Sequence, residues 1–156
     1  MTRLNDNAAP MHIVMKLARR FALVALLLVG SAAAARAQGY KVIVNSTNPA
    51  TRLSKSQVAA LFLKKTDRWS SGAAVVPVDL KDDAPTREAF SKKVLGKSTT
   101  SVIAYWNQMV FSGRNIPPSQ RPSDAEVIAF VRSNPGAIGY ISDSAPASGV
   151  AVVTVE

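Results

Sequence analysis

Four short segments dense in β-branched and aliphatic residues punctuate the chain: YKVIVN (40–45), VVPVDL (75–80), AIGYIS (137–142) and VAVVTV (150–155). Each is too short for a buried helix and reads as a strand covered on both faces. Helical patterns fill the first two gaps, and strands separated by helices imply an α/β layer domain with a partly parallel sheet. Pro77 inside VVPVDL suggests an edge position or an irregular pairing for that strand.

The helical stretches carry their own start signals. Ser54 and Gln57 fit a capping box, Leu53 and Val58 a hydrophobic staple, and Val58, Leu61 and Phe62 share one face. In DDAPTREAF (82–90) the residue before proline avoids helical dihedrals, so Ala84 takes the cap position, with Pro85, Thr86 and Arg87 as the first three helical residues. A third helix begins at Ser98, with Val102, Tyr105, Trp106, Met109 and Val110 as a core-facing stripe. Ser123 and Glu126 form a second capping box before Val127, Phe130 and Val131, and NPG (134–136) stops that fourth helix. Gly136 and Gly139 fit a tight helix-to-strand turn and close backbone packing. The loop from Ser112 to Pro122 is rich in proline and glycine.

Residues 1–37 stand outside this pattern. Lys16, Arg19 and Arg20 precede FALVALLLVGSAAA, and small residues follow at Ala35 and Ala37, the order of a secretory signal peptide cleaved before Gln38. The apolar run breaks at Gly30 and Ser31, short of the roughly 20 residues that span a bilayer, so no stable membrane insertion is expected. The expected mature domain, 38–156, has room for one core. Of the 19 basic and 10 acidic residues of the whole chain, 14 and 9 fall in it, scattered rather than clustered. That balance favours anions weakly and gives no nucleic-acid footprint.

The chain has no cysteine, and its one histidine, His12, lies in the expected leader. Thiol and imidazole nucleophile chemistry and ordinary nitrogen- or sulfur-ligated zinc sites are therefore excluded from the mature domain, and no cofactor or metal is expected. The sequence reads as non-enzymatic.

One stretch remains that points to a ligand. The first amides of a helix lack internal partners and favour anions. Behind Pro85 the donors are the N–H groups of Thr86, Arg87 and Glu88, to which Thr86 adds a hydroxyl and Arg87 a guanidinium fork. Asp82 is placed to accept a hydrogen bond from a protonated oxyanion. The same residues are also ordinary helix-start chemistry with no ligand at all, and Asp82, Asp83 and Glu88 oppose a dianion.

The succession LSKSQVAALFLKKTDRW, VVPVDLKDDAPTREAF and NPGAIGYIS resembles the phosphate-binding proteins of bacterial ABC transporters. In that family a similar segment ending in Trp precedes a strand, an SDGSGTR-like anion loop and a GAIGYV strand. The resemblance implies a single lobe of a type 2 periplasmic binding protein-like fold, a small partly parallel sheet flanked by about four helices. It carries Asp82, Thr86 and Arg87 over as oxyanion contacts. Lys81, Asp83, Ala84 and Pro85 depart from the loop's serines and glycines, removing a hydroxyl contact and backbone donors. The implied function is periplasmic binding of phosphate or a similar oxyanion, linked to ABC-type uptake or sensing, with an ABC permease or another envelope protein as partner. The alternative is a ligand-free envelope interaction module derived from the same fold.

Overall fold

The computed structural model describes residues 39–156, and the signal-peptide expectation falls outside them. In chain order the elements are β1 (Tyr40–Asn45), β2 (Arg52–Leu53), α1 (Lys55–Phe62), β3 (Val76–Leu80), α2 (Pro85–Phe90) running into a π-helical turn (Ser91–Leu95), α3 (Thr99–Phe111), β4 (Ser119–Arg121), α4 (Asp124–Ser133), β5 (Ala137–Ser142) and β6 (Val150–Val155). One six-stranded sheet has the order β2-β6-β1-β5-β3-β4. β1 runs antiparallel to β5 and β6, whereas β3 is parallel to β5 and β4, and β2 is parallel to β6. The fold is therefore the expected α/β lobe with a partly parallel sheet. Pro77 pairs with Ile138 of β5, but β4 joins β3 only from Val78 onward. The residue without an amide hydrogen thus sits where that side of the strand carries no ladder.

Successive strand residues point to opposite faces, and β5 shows what covers each. At Gly139 a Cβ would lie 2.8 Å from Val127, 2.9 Å from Val78 and 3.1 Å from Val131, so α4 presses directly on the glycine backbone. Tyr140, the next residue, stacks on Phe90 of α2 with ring centroids 3.9 Å apart, and Phe62 of α1 meets both rings. One face thus belongs to α4 and the other to α1 and α2. Gly136 has a second reason to lack a side chain: its Cβ would fall 2.1 Å from the carbonyl oxygen of Ala74.

The caps follow the sequence closely. Ser54 and Gln57 form the reciprocal capping box, and Ala84 is an extended N-cap (φ −71°, ψ 124°) before Pro85 at the first helical position. At Ser123 only half of the expected box forms, the Ser123 hydroxyl accepting from the Glu126 amide at 3.3 Å. Asn45 closes the other end of α4: its Nδ2 donates to the carbonyls of Val131 and Arg132 at 2.9 and 3.0 Å. Those are the last-turn acceptors that a helix cannot satisfy itself.

The stripe expected on α3 is only partly core. Val102 and Trp106 are buried and the Tyr105 hydroxyl donates to Leu63 O at 2.9 Å, but Val110 is 51% and Phe111 92% exposed. The helix packs on the π-helical turn, while the apolar residues of its last turn are left open to solvent. Trp69, unassigned from sequence, is core, and its Nε1 donates to Gly136 O at 3.0 Å.

Candidate functional site

β3 ends in Val78, Asp79 and Leu80, a turn closed by the Ala84 amide on Lys81 O at 3.0 Å reverses the chain, and α2 then starts beside the strand it left. This brings Arg87 back over the carboxyl end of β3. Its Nη1 donates to Leu80 O at 2.5 Å and lies 2.5 Å from Asp79 Oδ2, while its Nη2 lies 3.2 Å from Asp82 Oδ1. The side chain is 2% exposed, and an arginine so buried persists because carboxylates and a carbonyl meet it. Its Nε is buried without a partner.

The two carboxylates are held very differently. Asp79 accepts from Arg87, from the Tyr140 hydroxyl and from the Leu80 amide, and its side chain is 11% exposed. Burial pushes its carboxyl above the usual range, while Arg87, Tyr140 and the Leu80 amide pull it back. Burial, and then the neighbouring Asp79, push the Tyr140 phenol up from its ordinary value. Asp82 is on the turn, its side chain 49% exposed, and accepts from Gln120 Nε2 at 2.9 Å. It is the outer, more exposed partner.

A recess of about 130 Å³ opens on this cluster, lined by Asp79, Asp82, Arg87, Trp106, Asn107 and Gln120 among others. That is well below the roughly 300 Å³ at which pockets for drug-sized ligands begin, so it admits an ion of a few atoms. A hollow of about 350 Å³ on the outer side of the helix start meets Asp82, Asp83 and Glu88, and its lysine, Lys92, is already bonded to Glu88 at 2.5 Å. A larger recess, about 630 Å³, lies elsewhere, between residues 49–57 and 60–70, and contains none of the expected contacts.

Asp82 and Arg87 are therefore brought together, but Thr86 does not line the recess. The expected row of free amides is also shorter than the sequence suggested. Arg87 N and Glu88 N both donate to Ala84 O, at 2.9 and 3.2 Å, which leaves the Thr86 amide. The residues that sequence reasoning missed are Asp79 and Tyr140. An aspartate closing an apolar strand eight residues before an arginine was the available signal, since the intervening turn returns the chain on itself.

Among the described residues no helix is long and apolar enough to cross a membrane. No curated protein matches the sequence. Solved structures do match in fold. A protein described as a phosphate ABC transporter substrate-binding protein from Clostridium perfringens, with bound phosphate, superposes with a TM-score of 0.61 at 24% identity, over 76% of this chain and 45% of that one. An ABC-type phosphate transport receptor from Vibrio cholerae gives 0.60 at 19% identity, over 76% and 46%. PstS from Borrelia burgdorferi gives 0.59 at 13%, over 76% and 47%. The chain thus spans less than half the length of these proteins, and the likeness is one of fold. A family model described as the PBP superfamily domain matches residues 18–154, and this chain belongs to that family.

Proposed function

We propose that the domain, residues 38–156, is exported to the periplasm and binds phosphate or a similar small oxyanion, in ABC-type phosphate uptake or sensing. Arg87 and Asp82 are its contacts; Thr86, which the resemblance also carries over, lies outside the recess. The observation that carries this reading is the place of Arg87 in the lining of a small recess beyond the carboxyl end of β3, where ligands of open α/β sheets gather. Membership of the PBP superfamily and the fold shared with phosphate receptors support it.

Binding by one such lobe is weak. Each hydrogen bond to a solvent-open ligand nets only ~0.5–1.5 kcal/mol, and a dissociation constant of 1 mM already requires about 4 kcal/mol. Calorimetric titration of the purified protein with phosphate and sulfate tests the reading, and saturable heat in the millimolar range is the expected result. Export is tested separately by cell fractionation and N-terminal sequencing, with Gln38 as the expected first residue.

A second reading is favoured by one specific observation, the pairing of Arg87 with two carboxylates of its own chain. In it the lobe is a ligand-free module that docks on an ABC permease or another envelope protein. Absence of heat at 10 mM phosphate and sulfate from a folded protein supports this alternative and overturns the first.

A further inference from the structure

We propose that Asp82 is an internal competitor for the ligand, a removable carboxylate plug on Arg87. The inference rests on the oxyanion reading and changes the place of Asp82 within it from contact to gate.

The asymmetry between the two carboxylates carries the argument. Asp79 is anchored by Arg87 Nη1, the Tyr140 hydroxyl and the Leu80 amide, and cannot leave without stranding a buried arginine. Asp82 touches Arg87 only through Nη2, at 3.2 Å, and half its side chain is in water. Rotating it outward breaks one partly screened ion pair and one hydrogen bond from Gln120 Nε2, and water rehydrates the freed carboxylate.

What the rotation uncovers suits an oxyanion. Arg87 Nη2 and Gln120 Nε2 both give up the Asp82 Oδ1 atom they share, so one incoming oxygen replaces it on both donors. Arg87 Nε, buried and unpartnered, shows that the internal carboxylates do not satisfy the guanidinium completely. Charge works in the same direction. Moving the Asp82 carboxylate outward takes one of the two carboxylates away from the guanidinium and lessens the repulsion an anion meets there. The recess of about 130 Å³, walled by Trp106, Pro117 and Pro118, restricts the occupant to a single small ion.

The test uses the full chain and its Asp82→Asn and Asp82→Ala variants, titrated calorimetrically with phosphate and with sulfate. Both variants are expected to bind at least tenfold more tightly than the wild type, with unchanged melting temperature because the Asp79 pair is retained. In the wild type, phosphate is expected to shift the Gln120 side-chain amide resonances in step with binding, a readout independent of any variant. If the wild type binds and the variants bind equally or more weakly, or if the Gln120 resonances stay fixed as phosphate binds, the plug is overturned and the oxyanion reading stands. If neither wild type nor variants bind at 10 mM, both ideas fall together.

Discussion

Two apolar regions of this molecule are equally plain in the sequence and end in opposite states. Along β1 and β5, Val42, Ile43, Val44, Ile138 and Ile141 are sealed between α4 and the aromatic layer of Phe62, Phe90 and Tyr140. Along the final turn of α3 and the loop after it, Val110, Phe111 and Ile116 lie open to solvent. Both regions have apolar residues at the spacing of their element. Periodicity specifies which side of an element is apolar; it says nothing of whether another element extends far enough to cover that side.

The sharpest way to stress the first region is through Arg87 beside it, the one buried cation among the described residues. Arg87→Ala strands Asp79 without its counter-charge beside Tyr140, and loss of one partner of a buried pair costs ~3–5 kcal/mol. Urea denaturation should show the midpoint falling accordingly with the slope unchanged. Ile138→Ala, wholly apolar and in the centre of the sheet, is expected to cost ~2–5 kcal/mol through lost transfer energy and the cavity left behind. Ser54→Ala removes the Gln57 N bond of the capping box and should cost ~1 kcal/mol by the same measurement. Phe111→Ser, at the open end of α3, is expected to stay within about 0.5 kcal/mol of the wild type. A loss there as large as that of Ile138→Ala would break the contrast. Amide exchange sharpens it without mutation: β1 and β5 should open only with global unfolding, and residues 109–113 far more readily.

Much of the scaffold was legible from residues because its signals are local. The Ser54 box and the Ala84–Pro85 entry each depend on neighbours within one turn and appear where the sequence places them. β2 and β4, two and three residues long, were not legible, since they exist only through pairing with β6 and β3. The open end of the α3 stripe was hidden for the same reason: exposure at Val110 depends on whether another element covers it and not on its own spacing. At the candidate site the residue types were readable and their allegiance was not. DDAPTREAF announces an arginine at a helix start. Whether that arginine faces outward or inward is decided by Asp79, which lies in the preceding strand and draws the guanidinium into the protein.

The domain's two tryptophans stand in separate neighbourhoods, Trp106 in the wall of the small recess and Trp69 against Gly136 in the larger hollows. The protein therefore carries a built-in optical indicator. With Trp69 changed to Phe, the remaining indole emission would follow events around Arg87 alone, and a spectral change on adding an ion could be read without attaching any dye.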